Sequence, residues 1–283
     1  MLAVVCLTAV VQSGCATLGA LTPSPPGLGD LVSVATTLGS AVTPIGREEE
    51  IEIGRSIAAG VAGNYGIVRD ERMTRYICLV GEAVAAKSDR PDLLYHFAVL
   101  DTDIINAFSC PGGYVFVTRG TLGIIESEAE LAAVLAHEIS HVAHKDIINE
   151  IEKQQFFQAG NKVAGTLLHS DPALLNAATS FGTGLLFKGF SRADEYRADE
   201  FALTYVAAAG YDPAALLTFL EKLKDGSAVS DGGVKLLFAT HPQIDGRISN
   251  VRTLMSKMPE QQRTGKLLAP RYIENVRSRT GLP

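Results

Sequence analysis

The chain has 283 residues, 47% hydrophobic and 20% charged, a balance that supports a folded core and argues against disorder. Its 31 acidic and 25 basic residues give a formal net charge of −6, so there is no general basic surface and nucleic acid is excluded as an expected partner. The length suits one domain with a tail.

The N-terminal segment differs in kind from the rest. Leu2 to Val11 is an unbroken apolar run, too short to span a membrane but suited to the core of a secretory signal. Gln12-Ser13-Gly14-Cys15 follows, and its small pair before a cysteine resembles a bacterial lipoprotein box with Cys15 as the lipidated residue. Two features depart from that pattern: Gln12 stands where an aliphatic residue is usual, and no Lys or Arg precedes the run, as though the true start lies upstream. The alternative is a plain apolar N-terminal helix. Ala16 to Thr43 is rich in Gly, Pro, Ser and Thr, the composition of a tether. The expected organisation is therefore a signal over 1–14, a flexible tether over 15–44 and a folded domain over 45–283. That implies export to the periplasm and a lipid anchor in the outer membrane. With Cys6 lost with the signal and Cys15 lipidated, Cys78 and Cys110 remain, either paired in an oxidising compartment or free.

In the folded part, Arg47 to Ala62 and Asp70 to Lys87 carry apolar residues at three- and four-residue spacing and read as helices. Asp89-Arg90-Pro91-Asp92 ends the second. Tyr95 to Leu100 reads as a strand, as do Asn106-Ala107-Phe108 and Tyr114-Val115-Phe116-Val117, which flank Pro111-Gly112-Gly113. Everything later is helical in pattern. Ser127 with Glu130 forms a capping box that starts a helix with Leu131, Leu135, Ile139 and Val142 on its core stripe. Residues from Asn149 to Phe187 hold broken apolar runs, read as soluble helices or a lid. Arg192 to Ala208 is a further helix, Asp212-Pro213 caps the next, and His241-Pro242 opens a late one. The expected fold class is α+β: mostly helical, with a small edge β-sheet.

The helix begun at Ser127 contains His137-Glu138-Ile139-Ser140-His141, an H-E-x-x-H sequence. Histidines four apart stack on one helix face and can reach one metal ion, while the Glu projects to nearly the same side, where it can work on a water at that metal. A catalytic zinc site needs a third protein ligand. In the metzincin pattern a Gly and then a His follow at fixed spacing, but here those positions hold His144 and Ile147, which excludes that class. Glu195 and Asp199, four apart in Ser191-Arg192-Ala193-Asp194-Glu195-Tyr196-Arg197-Ala198-Asp199, offer a ligand and an acceptor for a ligand imidazole. By spacing alone, that segment reads equally as a solvated, charge-patterned helix. His144 lies one turn on from His141 and is not expected to bind; His96 and His169 read as structural or surface.

Five segments in order resemble a known zinc metallopeptidase family, the one that includes HtpX, the CAAX prenyl proteases and the periplasmic BepA and LoiP. They are Asn106-Ala107-Phe108 with Pro111-Gly112-Gly113; His137 to His141; Ser191-Arg192 with Glu195, Ala198 and Asp199; Ala209-Gly210-Tyr211-Asp212-Pro213; and His241-Pro242 with Arg247-Ile248. The resemblance spans roughly residues 45 to 255 and is most similar in arrangement to the single-domain LoiP type. It implies a zincin-like fold with one Zn2+ per chain held by His137, His141 and Glu195, and Glu138 as the catalytic residue. It also brings His241 to the cleft, as an oxyanion stabiliser or as a regulatory fourth ligand, beside the plain alternative of a helix-start residue. Arg192 is expected to add charge stabilisation or to hold Glu195 or Asp199. Substrate is expected along Asn106, Gly112, Gly113, Tyr114 and Val115, by pairing with Tyr114 to Val117 as an edge strand. The expected partners are unfolded or misassembled envelope polypeptides and the outer-membrane assembly machinery. A chaperone-like assembly factor with a largely closed zinc site is the second reading.

Overall fold

The computed structural model describes residues 44–159, 172–225 and 235–278. The expected signal, the tether, the Cys15 lipidation site and His169 lie outside the described residues.

Helix α1 (Arg47–Tyr65) has Glu48, Glu49 and Glu50 in its first turn, where carboxylates complement the helix dipole, and Glu49 Oε2 accepts the Gly46 N–H at 2.9 Å. Helix α2 (Glu71–Ala85) is capped by Asp70, which accepts the Met73 N–H at 3.0 Å. Three short strands follow: β1 (His96–Leu100), β2 (Ala107–Cys110) and β3 (Tyr114–Thr118), with a tight turn at Pro111–Gly113. The sheet order is β1-β3-β2, with β1 parallel and β2 antiparallel to β3.

This order corrects the expectation that Tyr114 to Val117 forms an edge. β3 is the central strand, paired on both sides. Its Val115 and Val117 are buried on one face and Phe116 on the other, as suits a strand in the middle of a sheet. The strand with a side unpaired in this sheet, near the H-E-x-x-H helix, is β2.

Helix α3 (Arg119–Ile124) leads to α4 (Glu128–Ala143), where Ser127 Oγ accepts the Glu130 N–H at 3.2 Å. The Glu130 carboxylate does not close the box on Ser127; it accepts the Glu126 N–H at 3.3 Å. Then come α5 (Asp146–Ala159), α6 (Pro172–Lys188) and α7 (Arg192–Ala208), the last opened by a reciprocal Ser191–Asp194 capping box. Asp212 Oδ1 accepts the Ala214 N–H at 2.9 Å at the start of α8 (Ala214–Asp225). Helices α9 (Lys235–Thr240), α10 (Ile244–Lys257) and α11 (Ala269–Tyr272) complete the described chain, the last running into a wide turn at Ile273–Arg277. His241-Pro242 does not open a helix. The His241 N–H donates to Leu237 O at 2.6 Å and so closes α9, and α10 starts after Gln243, which turns the chain with φ 68°.

Helix α4 runs through the interior, its Leu131, Leu135 and Ile139 fully buried. One side packs with α2, α7 and α8 in the larger core; a second core joins α1, α5 and α6 to Phe108, Cys110 and Phe116 of the sheet. Cys78 packs against the first and Cys110 lies in the second, so both are free thiols. Among the described residues, no helix is long and apolar enough to cross a membrane.

Candidate metal centre

The buried α4 brings His137 and His141 to one face, with their Nε2 atoms 3.2 Å apart. α7 crosses α4 and presents Glu195, whose Oε2 lies 3.5 Å from His137 Nε2 and whose Oε1 lies 3.6 Å from His141 Nε2. From the end of α9, His241 Nδ1 approaches Glu195 Oε1 at 3.1 Å, and its Nε2 stands 3.6 Å from Glu138 Oε1. One donor atom from each of His137, His141, Glu195 and His241 lies within 4.8 Å of the others, and all four residues are buried. Three imidazoles and one carboxylate converging on a single point, in an interior that penalises isolated polar groups, suit a metal ion.

A carboxylate orients the far nitrogen of each α4 histidine. His137 Nδ1 lies 3.0 Å from Asp199 Oδ1, and His141 Nδ1 lies 2.7 Å from Asp146 Oδ2. Such partners fix ring orientation and raise donor basicity. Asp199 thus has the place expected for it. Asp146 was not anticipated, although it lies only five residues after His141; Arg197 holds its other oxygen.

Arg192 does not have the place expected for it. It is exposed at the start of α7 and pairs with neither Glu195 nor Asp199 among the described contacts. It lies at the first helical position, three residues before Glu195, the first buried residue of α7, so the helix end carries it out to solvent. That role falls to Arg247 of α10, whose Nη1 is 2.9 Å from Glu195 Oε2, while Nη2 and Nε donate to Asp199 at 2.6 and 2.8 Å. Arg247 is itself buried, so a desolvated cation is offset by two desolvated carboxylates. Burial acts to raise the Glu195 pKa, but the charges of His241 and Arg247 and its hydrogen bonds to His137 and His241 hold it well below the ordinary range. Burial acts to raise the Asp199 pKa too, but Arg247 first and then His137 hold it below the ordinary range. His137 is pushed up to about 9: burial and Arg247 oppose its protonation, and hydrogen bonds to Asp199 and Glu195 outweigh them.

Glu138 points to the same space, its Oε2 accepting from Ser109 Oγ of β2 at 2.8 Å. No sequence signal marked Ser109. Asn106 stands just before β2, its Oδ1 accepting the Ala107 N–H at 3.0 Å, while its buried Nδ2 has no partner among the described residues. It lines a cavity that also touches His137, Glu138, His241 and Arg247.

The remaining expected substrate residues lie elsewhere. A side chain at Gly112 would strike Ile51 of α1, one at Gly113 would strike Leu94 O, and the Gly112 N–H donates to buried Glu50 at 3.2 Å. These glycines let the turn pack closely, at φ 72° and 100°. Tyr114 and Val115 are paired inside the sheet and offer no free backbone edge. His144 turns from the metal donors to lie against Phe201, with ring centroids 4.2 Å apart and the rings tilted by 47°, and His96 is exposed against Tyr114.

The peptidase family M48 model matches residues 71–255, a span that contains the H-E-x-x-H helix, Glu195, His241 and Arg247. The chain belongs to peptidase family M48. The M48 chain is 29% identical over 250 residues to the beta-barrel assembly-enhancing protease of Escherichia coli, covering 86% of this chain and 50% of the relative. It is 34% identical over 193 residues to the mitochondrial metalloendopeptidase OMA1 of Schizosaccharomyces pombe, covering 67% of this chain and 54% of the relative. The metalloprotease LoiP of Escherichia coli is 26% identical over 157 residues, covering 54% of this chain and 59% of the relative. The chain thus spans about half the length of the curated relatives it matches. Its metallopeptidase site is of the H-E-x-x-H type, with His137 and His141 completed by Glu195.

Proposed function

We propose that the protein is a zinc endopeptidase that hydrolyses unfolded or misassembled envelope polypeptides. The observation that carries this reading is the buried convergence of His137, His141 and Glu195 beside a carboxylate, Glu138, that is not needed as a ligand. The donors fit Zn2+, one per chain: imidazoles oriented by carboxylates, which release their protons when they bind metal, plus one carboxylate ligand. When bound, the metal supplies Lewis acidity that polarises a scissile carbonyl and makes water a better nucleophile. Glu138 takes the proton from the attacking water and passes it to the leaving amine. Ser109 fixes one oxygen of that carboxylate, which leaves Oε1 to exchange the proton. The substrate backbone lies along β2, not β3, and the unpartnered Asn106 amide donates to one of its carbonyls.

His241 supports the second reading, an assembly factor whose site is mostly shut. With Nδ1 beside Glu195 and Nε2 facing Glu138, it would join His137, His141 and Glu195 in holding a metal and so compete with water and substrate there. We assign it the role of a regulatory fourth ligand. Envelope location, attachment through Cys15 and work with outer-membrane assembly machinery belong to the same proposal, supported by the sequence pattern and the similarity to the assembly-enhancing protease.

Purified protein is tested for metal content and for digestion of unfolded casein, with and without chelator. Glu138→Gln should keep its zinc and lose cleavage by about 100-fold or more. Zinc content unchanged in Glu195→Ala overturns the ligand set. His241→Ala should cleave faster than wild type, and slower cleavage would reassign His241 to oxyanion stabilisation. Cys15→Ser should leave the membrane fraction.

A further inference from the structure

Two segments that set the metal centre pass close to one buried carboxylate. β2 carries Ser109, which holds Glu138, and then turns at Pro111–Gly113. α4 ends just after His141, and Lys145 reverses the chain with φ 57° so that Asp146 returns to His141 Nδ1 at 2.7 Å. Glu50 of α1 lies between these segments with no solvent exposure. Its Oε1 accepts the Gly112 N–H at 3.2 Å, in the turn that follows Ser109. Arg90 clasps both of its oxygens, at 2.7 and 3.0 Å, and also donates from Nη1 to Val142 O, beside His141, at 3.2 Å. Lys145, the neighbour of Asp146, places Nζ 3.5 Å from Glu50 Oε2.

A carboxylate taken out of water is costly unless its charge and lone pairs are matched, and here two cations and an amide match them. Val142 O belongs to the last turn of α4, where carbonyls lack intrahelical donors and a guanidinium complements the helix dipole. The mount on the other side is rigid. A Cβ at Gly54 would meet Pro111 O at 1.7 Å, and one at Gly112 would meet Ile51 Cα at 2.6 Å, so α1 rests backbone on backbone against the turn.

We propose that Glu50 is a positioning residue for the metal centre, which from α1 sets the spacing between Glu138 and the donor His141. The inference rests on the ligand set and base assigned above and deepens that reading. One branch runs through the Gly112 turn to β2, Ser109 and Oε2 of Glu138. The other runs through Arg90 and Lys145 to the end of α4 and to Asp146, which orients the His141 ring. Glu50→Gln keeps the size of the side chain but removes its charge. Whichever way its amide lies, the new NH2 meets an Arg90 donor, so one arm of the fork is lost. β2 and the α4 turn then lose their common anchor, and a drift of about 0.5 Å is enough to spoil a reacting geometry.

Zinc affinity, read by competition with a chromophoric chelator well below the melting temperature, is the first test. Glu50→Gln should bind zinc about 10-fold more weakly, as when the support behind a ligand histidine is lost. A double-mutant cycle with Asp146→Asn separates positioning from plain loss of stability. Because Glu50 acts through Asp146, the double variant should bind zinc little more weakly than Asp146→Asn alone. Effects that multiply, or an unchanged affinity in Glu50→Gln, overturn the inference and leave the peptidase reading standing. On the zinc-saturated protein, kcat for an unfolded substrate should fall about 10-fold with KM unchanged, and a loss carried by KM alone overturns the inference. A wild type that binds no zinc overturns the metallopeptidase reading along with it. If Glu50→Gln does not fold, Arg90→Lys goes through the same cycle with the same expected outcomes, since one ammonium cannot hold both Glu50 oxygens and Val142 O.

Discussion

Replacing Arg247 with Met keeps much of the side-chain volume and removes the guanidinium that bridges Glu195 and Asp199. Both carboxylates are fully buried, and the guanidinium bonds them at 2.9, 2.6 and 2.8 Å. Deleting one partner of a buried ion pair costs about 3–5 kcal/mol, because the other charge is left without water or partner. For a domain of this size, each kcal/mol moves Tm by about 2–4 °C, so metal-free Arg247→Met should melt about 6–20 °C below wild type. Zinc should narrow the gap, since it binds only the folded site and restores positive charge at Glu195. Arg247→Lys keeps the charge but not the planar fork and should fall between the two. Exposed Arg192→Ala is the control and should change stability by about 0.5 kcal/mol or less. Calorimetric melting of chelated and zinc-loaded samples reads all four. A metal-free Arg247→Met within about 2 °C of wild type would refute the argument that this arginine compensates the two carboxylates.

Asp146→Asn removes the acceptor from His141 Nδ1 and should weaken zinc affinity about 10- to 100-fold, measured by competition with a chromophoric chelator; unchanged affinity would show the pair is incidental. Glu128→Gln disrupts a buried cluster in which the carboxylate accepts from Tyr76 at 2.6 Å and Tyr211 at 2.7 Å and pairs with Arg271. Because Arg271 is half exposed, the loss at neutral pH should be only ~1–3 kcal/mol by denaturant titration. The pH dependence is specific. Burial acts to raise the Glu128 pKa, but Arg271 and the two phenols hold it below the ordinary 4.5. Its stabilising contribution is therefore complete above 4.5 and fades as pH falls through the lowered value. The gap between wild type and Glu128→Gln should shrink on acidification, and a gap that stays constant or grows would contradict this.

The parts of the site carried by local periodicity were legible in the sequence. His137, Glu138 and His141 follow from a four-residue repeat on a capped helix, and Asp199 follows Glu195 by the same repeat. What was not legible depends on which helix packs against which. Arg192 and Arg247 are both arginines near a motif, and only the crossing of α10 over α7 decides that the second reaches Glu195. Asp146 begins the next helix after a sharp turn at Lys145, so its return to His141 depends on that turn's geometry. Ser109 meets Glu138 only because β2 lies beside α4. The sheet order was hidden for a different reason: adjacency of Tyr114 to a Gly-rich turn suggested an edge, whereas the order depends on long-range pairing of β1 with β3, which local pattern does not carry.

The Glu128 cluster also bears on when the site is assembled. Glu128 opens the helix that carries the metal-binding histidines, and its partner Arg271 lies 143 residues further along the chain. A chain made from its N-terminus has α4 in hand long before Arg271 emerges, and bringing such distant residues together is a late, slow closure. Until then the first turn of α4 carries a carboxylate without its cation. Among the described residues, the segment around Arg271 makes no bond to a metal donor, yet it acts as the latch that finishes the helix on which the chemistry depends.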